Sequence, residues 1–587
     1  MINERLKALQ DKMINSGIDL YYFNTSDYHM SEYVSAYFKT IEYFSGFTGS
    51  LATLLVSKNE AFIFVDGRYY GQADKQCGEQ GVKVIKLGTK NALKPLDFIL
   101  KFFKDSVIGL DGKRASIKFV NELVENKINV RSIDIYSSII EGRPLLRNDN
   151  IFELGIKYVG LDRQSKLKVI KHCLNGKCHI ESSLECIAYI LNLRSTDIKH
   201  TPVFYSYLVF LDNDVYLFCE VKRIKKEILD SLYADGVIIR PYDSYYEFLD
   251  IIKNQTIMLD EDKTNYETYL HLNNKNNKIY HSRSLIEDMK SIKNNVEQKN
   301  SEMAHIYDGV VMVRFLMWLD SVDKTNLDEY VVSEKLNELR LSYKAFDLSF
   351  ESIVAYNKNA ALMHYQPKDN DCAKLDNRGI LLIDSGGQYF EGTTDVTRTV
   401  ALGAVNAEIR KYFTLVLKSM FNLSELKFMK GLSGNQIDII ARKDLWAEGI
   451  DYRCGTGHGV GHVLSVHEGP PNVRYMKTDN HNEEVAIKPG MIFSDEPGVY
   501  FEGKYGIRCE NLLLCKKDRE NEFGEFLKFE TLTLVPFDLK LIDKSYLDEV
   551  TINALNNYHQ RVYEKLSPHL DEDEREYLRR ITIKIWK

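Results

Sequence analysis

The sequence predicts a mixed protein of α/β and α+β class. Two related α/β domains, residues 1–155 and 156–293, precede a longer α+β domain, residues 294–587. Three observations predict this. A chain of 587 residues exceeds what one hydrophobic core serves and divides into domains of roughly 100–250 residues. The segments YFSGFTGSLATLLVSKNEAFIFVDGR (43–68) and TPVFYSYLVFLDNDVYLFCEVKR (201–223) share one pattern, two apolar strands about a polar turn. Beyond residue 293 that pattern gives way to helices and strands in an order that is not βαβ.

Taken in order, Ile2, Leu6, Leu9 and Met13 form one helical stripe over residues 2–16, and Gly17 is placed to end it. The strand IDLYYF follows, then the first two-strand segment. The string RPLLRNDNIFELG marks a boundary near 150–156. Helical stretches at 163–174 and 182–192 lead into the second two-strand segment. The run KRIKK (222–226) reads as a solvated helix face and NNKNNK (273–278) as a loop. A capped, long, amphipathic helix opens at about 293. Strands SFESIVAY and GILLIDSG, a helix over 404–430, and strands near 491–500 and 507–515 follow, and the tail 567–587 reads as a short capped helix.

Composition narrows the function. A net charge of −7 provides no basic field for nucleic acid or a membrane surface. The N-terminus has acids among its bases and no apolar core, so it does not read as a signal peptide. No apolar run is long enough to span a bilayer. Nine cysteines without paired spacing read as reduced thiols, which points to the cytoplasm.

The chemistry gathers around CGTGHGVGHVLSVHEG (454–469). Its glycines alternate and miss the dinucleotide spacing, and no Walker lysine follows. His458 and His462 are four apart, but a zincin needs glutamate after the first histidine, where Gly459 stands. Cys454 alone does not make a closed thiolate site. One histidine therefore works with oxygen donors elsewhere. Asp384 ends an apolar strand and Asp395 lies on the next. If the chain reverses near Gln388–Glu391, the two stand nearly opposite, with Cβ atoms ~5 Å apart. Each alone reads as a turn residue or cap. As a pair among apolar residues they repel unless a dication lies between them. Glu496 ends the strand of MIFSDEPGVYF. Glu510 falls inside IRCENLLL, where burial is costly unless it pairs with Arg508, sits on an edge strand or binds metal. Four carboxylates and an imidazole suffice for two hard or borderline dications such as Mn²⁺, and for hydrolysis by an activated water.

These residues resemble the two-metal pita-bread peptidases, the family of methionine aminopeptidase, prolidase and aminopeptidase P. The strings IDSGGQYFEGTTDVTRT, GTGHGVG, VHEGP, DEPGVY and GIRCEN look like the eukaryotic cytosolic Xaa-Pro aminopeptidase. SEYVSAYFKTIEYFSGFTGSLAT and VDGRYYGQADKQ resemble its first, creatinase-like domain, LNLRSTDIKHTPVFYSY its second, and NKNAALMHYQP its third. The resemblance implies two creatinase N-terminal-like domains before a pita-bread catalytic domain. It implies removal of an N-terminal residue ahead of a proline, with two Mn²⁺ (Zn²⁺ or Co²⁺ are possible) and a water between them. Asp395 and Glu510 would bridge the ions, Asp384 would bind one, and His458 with Glu496 the other. Glu496 would also shuttle the proton. His364 and His467 would meet substrate and stabilise the tetrahedral intermediate, and Arg68 would contact substrate from the first domain. A structural salt bridge is the other reading of Arg68. His462 falls at a position without a metal role. The resemblance further implies a homodimer built mainly through the third domain. Cys454 departs from the pattern, standing where close relatives have histidine beside the proline ring, which leaves the leaving-group pocket open to thiol reagents.

Two alternatives stay open at this stage. Prolidase would cleave only Xaa-Pro dipeptides, and a non-catalytic pita-bread binding module would lack metal ligands. Methionine aminopeptidase is disfavoured by the two added N-terminal domains.

Overall fold

Two apolar strands about a turn recur as expected. Thr53–Ser57 pairs antiparallel with Ala61–Val65, and Tyr207–Leu211 with Asp214–Cys219. Each pair sits in a six-stranded sheet, and the two sheets have one strand order. The first runs Val82–Lys86, Ala61–Val65, Thr53–Ser57, Leu20–Asn24, Val107–Leu110, Asn129–Ser132. The second runs Val237–Pro241, Asp214–Cys219, Tyr207–Leu211, Cys178–Glu181, Thr256–Leu259, Lys278–His281. In both, the central strands are antiparallel and the outer strands parallel. The sequence repeat is thus a repeat of topology.

The computed structural model describes residues 2–273, 275–476 and 485–586. The chain forms two compact units. One contains both related sheets (1–155 and 161–286), and the other contains 156–160 and 287–587.

In the first unit the helix Ile2–Asn15 buries Leu6, Leu9 and Met13, three of the four residues of the predicted stripe, leaves Ile2 half-buried, and is followed by Gly17 with φ +66°. The helix Arg163–Leu174 is capped by Asp162, whose carboxylate accepts from Ser165 N. The run KRIKK departs from expectation. Lys222, Lys225 and Lys226 are exposed, but Arg223 is buried against Asp197 and Ser195. A lone arginine in a basic run can be structural, and composition does not distinguish it.

In the second unit a capping box on Asn294 and Glu297 starts the helix Asn295–Ser321. It is not simply amphipathic, because Val310, Val311, Met312 and Val313 are all buried in succession. Its apolar side joins the strand Ile380–Ser385 and the helices Ala407–Ser424 and Glu549–Leu566 in the main core of this unit. Ile380–Ser385 lies between Ile353–Tyr356 and Val396–Ala401 in a three-stranded antiparallel sheet. A six-stranded sheet carries Gly457–Gly459 between Ile492–Asp495 and Glu468–Val473.

Two element expectations need correction. The helix expected over 404–430 ends at Ser424 and gives way to the strand Lys427–Met429. The two strands expected near 491–500 and 507–515 are four, Ile492–Asp495, Gly498–Phe501, Tyr505–Arg508 and Asn511–Asn521. Glu496–Pro497, Glu502–Lys504 and Cys509–Glu510 separate the four strands, and hydrophobicity alone does not mark that the first and last of these breaks move the chain between sheets. The tail forms the helix Glu572–Ile581 with a capping box on Asp571 and Glu574, as expected, and Glu574 also pairs with Arg314 at 2.7 Å.

Candidate metal centre

Asp384 lies on a fully buried strand, where its register partners are Ile353 and Thr397. It is not directly opposite Asp395, which precedes the strand Val396–Ala401 and is reached through an excursion. Between them Gly387–Tyr389 pairs with Gly392–Thr393 in a separate three-stranded sheet. The reversal thus falls at Phe390–Glu391, as the spacing suggests, but the two aspartates are offset diagonally. Gly386 permits the excursion, because a Cβ there would sit 2.0 Å from Thr394 O.

His458 is on the strand Gly457–Gly459. A Cβ at Gly457 would stand 1.9 Å from Ser494 O, and one at Gly459 2.4 Å from Glu468 O. Close strand approach, not phosphate, explains these glycines. His458 N donates to Ser494 Oγ at 3.0 Å. Its Nδ1 lies 2.9 Å from Gly459 O, and a carbonyl only accepts, so Nδ1 carries the proton and Nε2 is left as a donor for metal. Nε2 is 3.6 Å from Asp395 Oδ2 and 3.4 Å from Glu496 Oε1.

Glu510 is not inside a strand. It occupies the break between Tyr505–Arg508 and Asn511–Asn521, where its N donates to Thr397 O and its Oε2 accepts from Thr397 Oγ1 at 2.7 Å. Ligand atoms of Asp395, His458 and Glu510 all lie within 4.8 Å of one another. Glu496 joins through its contact with His458, and Ser494 Oγ donates to its Oε1 at 3.2 Å.

Arg508 does not pair with Glu510, the partner that the sequence offers. Its Nη2 donates to Asp384 Oδ2, its Nε to Thr397 Oγ1 and its Nη1 to Tyr500 Oη. Asp384 Oδ1 remains buried without a hydrogen-bond partner.

The electrostatics follow from burial. Asp395 is pushed well above the usual carboxylate range by desolvation, then by the charges of Glu510, Asp384 and Glu496. Glu510 is raised likewise by desolvation, then by Asp384 and Glu496. Desolvation lifts Glu496 to about 7, with Asp384 adding to the effect and Arg508 opposing it. Four carboxylates with one guanidinium cannot all ionise in a dry site, and cations bound among them remove that conflict. The orphaned Asp384 Oδ1 and His458 Nε2, which faces the Asp395 and Glu496 carboxylates, fit a divalent ion.

Of the remaining sequence candidates, His467 is brought to the cluster. Its ring lies 4.3 Å from that of His458 at 71°, and its charge acts on Glu496. His364 lies half-buried just beyond the short helix Asn357–Ala361, which packs on the strand Tyr505–Arg508. A Cβ at Gly506 would meet Ala360 O at 1.8 Å. Arg68 belongs to the other unit, where its guanidinium pairs with Asp66 through Nε and Nη2. His462 is structural, with Nε2 donating to Tyr158 O at 3.0 Å. Cys454 is half-buried, and its carbonyl accepts from Arg442 Nη2 at 2.7 Å.

Sequence reasoning misses several supporting residues. Glu329 accepts from Tyr356 N, Asn359 Nδ2, Tyr365 Oη and Ala373 N, and so holds both ends of the loop that carries His364. The buried Lys290 and Lys293 both pair with Glu468, the neighbour of His467. Arg442 and Asp438, one helical turn apart, hold the 451–456 loop before His458. Glu468 in VHEGP is the one sequence signal for these, since an acid next to a functional histidine invites a search for its cations.

A group of three buried carboxylates with the partly exposed His458 and Glu496, in a chain that also carries two repeated α/β sheets, defines a metallohydrolase. Comparison with known proteins agrees. Residues 300–517 match metallopeptidase family M24 and residues 525–585 the C-terminal region of that family. Residues 5–143 and 142–297 each match a creatinase/prolidase N-terminal domain. A probable Xaa-Pro aminopeptidase P of Coprinopsis cinerea is 35% identical over 99% of this chain and 98% of its own. One of Talaromyces marneffei is 35% identical over 97% of this chain and 90% of its own. The crystal structure of an X-prolyl aminopeptidase from Caenorhabditis elegans, described as a cytosolic enzyme with a di-nuclear active site, superposes with a TM-score of 0.93 at 29% identity, covering 100% of both chains. The chain belongs to the Xaa-Pro aminopeptidase P group of metallopeptidase family M24. Among the described residues, no helix is long and apolar enough to cross a membrane.

Proposed function

We propose that this enzyme hydrolyses the bond between an N-terminal residue and a proline in second position of peptides, using two divalent cations. The observation that carries the reading is the donor group of Asp395, His458 and Glu510 within 4.8 Å, flanked by Asp384 and Glu496, in a chain of this family. Asp384, Asp395, His458, Glu496 and Glu510 would hold the two cations, with Asp395 and Glu510 as the ligands the two would share. An oxygen-rich set with one imidazole suits Mn²⁺, with Zn²⁺ and Co²⁺ as competitors. The cations, when bound, acidify a water and polarise the scissile carbonyl.

The protein's own residues do the rest. Glu496, raised by burial to about 7, is matched to taking a proton from the attacking water and passing it to the departing proline nitrogen. Such transfer contributes ~10²–10⁴-fold. His467 and His364 present ring N–H groups to the oxygen that gains charge. Arg68 is assigned to the substrate on motif resemblance alone, with its Asp66 pair holding the guanidinium orientation. The domain bounds 1–155, 156–293 and 294–587 are proposed with it. So is a homodimer, with the exposed Ile439, Trp446, Tyr475 and Met476 as its apolar contact, and a cytoplasmic location.

The test is turnover of an Xaa-Pro-Xaa tripeptide beside an Xaa-Pro dipeptide, with added Mn²⁺, Zn²⁺ or Co²⁺. Cleavage of the tripeptide supports the aminopeptidase. Dipeptide cleavage alone would make the chain a prolidase, and failure to bind metal would make it a binding module. Asp395→Asn should lower turnover on the order of 10³-fold or more.

A further inference from the structure

The hairpin between Asp384 and Asp395 and the loop between His458 and His467 meet at one residue, Leu464. On the hairpin, Gln388 and Thr393 are register partners, and both are buried. Gln388 Nε2 donates to Leu464 O at 2.8 Å. Thr393 Oγ1 accepts from Leu464 N at 3.3 Å and donates to Gln388 Oε1 at 2.8 Å. Both backbone groups of Leu464 are therefore taken by one hairpin. The neighbouring Val463 is fully buried at φ +53°, a left-handed conformation that a β-branched residue adopts only under restraint.

Both limbs of this loop are tied to the strand Gly457–Gly459, where Gly459 is the register partner of Glu468. His458 is fixed by strand pairing and by Ser494 Oγ. His467 follows the turn, just before the strand Glu468–Val473. If the grip on Leu464 is lost, Val463 can relax toward ordinary backbone geometry, and the turn between Gly459 and Glu468, which carries His467, can shift with it.

We propose that Gln388 and Thr393 are positioning residues which set the His467 ring against His458 by gripping Leu464. This rests on the reading of His467 as a substrate-facing residue. It assigns the hairpin between the two aspartates a second task, coupling the carboxylate pair to the histidine pair. The bonds of Gln388 and Thr393 to Leu464 and to each other include none of the five donors. Loss of the grip should therefore separate turnover from metal loading, which general destabilisation would not do.

The experiment uses the Mn²⁺-loaded enzyme and a Xaa-Pro-Xaa tripeptide. Thr393→Val, nearly isosteric but without the hydroxyl, should lower kcat about tenfold or more with KM little changed. Mn²⁺ stoichiometry should stay that of the parent enzyme. Thr393→Ser should recover kcat to within about threefold. In a His467→Ala background, Thr393→Val should cost nothing further, because both changes remove one function. Losses that multiply, a kcat that falls only with Mn²⁺ content, or parent-level kcat in Thr393→Val would each overturn the proposal. Should Thr393→Val not accumulate as folded protein, Gln388→Met removes the bond to Leu464 O and carries the same test. Parent-level turnover in His467→Ala would overturn the role of His467 itself, and the grip with it.

Discussion

Asp384, Asp395, Glu496 and Glu510 share a buried site in which Arg508 neutralises one carboxylate directly. With no cation bound, Glu496 rises from 4.5 to about 7. A carboxyl raised on folding favours the fold when protonated. Its stabilisation is complete below about pH 4.5 and is lost as pH rises through about 7. Bound cations remove this dependence by replacing the proton. We expect the metal-free protein to lose Tm between about pH 5 and about pH 7.5 relative to the metal-loaded one. Calorimetry of both forms across that range checks it, and equal slopes would contradict it. At this scale the sequence singles out all five proposed donors: Asp384, Glu496 and Glu510 are acids at or beside apolar strands, Asp395 lies in a threonine-rich string, and His458 is marked by the glycines around it. The partner of Arg508 is not legible. The chain breaks at Cys509 and Glu510, which turns the nearest acid in sequence away and leaves Asp384, 124 residues distant, as the contact.

Elements determine which loops can be trusted to hold a side chain. The strand holding His458 is stiffened by backbone contacts that only glycine allows at 457 and 459. The loop holding His364 has no such pairing and depends on Glu329. That carboxylate takes bonds from residues 27 to 44 positions further along the chain. Glu329→Gln replaces one acceptor oxygen with a donor facing other donors, at a cost of about 1–3 kcal/mol. We expect faster amide exchange over residues 357–373 in this variant and unchanged exchange in the strand Gly457–Gly459. Uniform loss of protection would show instead that Glu329 supports the whole unit. The sequence conceals this residue, because an acid in the first turn of a helix is ordinary. Strand boundaries are harder to place for another reason: polar residues at 494–498, 502–504 and 508–511 interrupt the run from 491 to 515, but they do not show which break is a hairpin turn and which passes between sheets.

At the scale of the molecule, the repeated sheet order in the first unit is legible from two look-alike strand pairs, since strand periodicity and turn residues survive when side chains change. Assembly is less legible, because it depends on which apolar residues stay exposed after folding. Ile439, Trp446, Tyr475 and Met476 do so, with the Trp446 and Tyr475 rings 5.5 Å apart. If they form the dimer contact, Trp446→Glu should shift the chain to a monomer in sedimentation analysis, and an unchanged mass would place the contact elsewhere. The central claim remains that five distant side chains converge to hold two cations for hydrolysis. The most direct measurement is turnover of a Xaa-Pro-Xaa peptide by metal-stripped protein as Mn²⁺ is added stepwise. The account predicts no turnover at the start and a plateau at two ions bound per chain. Full turnover before any metal is added, or metal binding that saturates without activity, would contradict it.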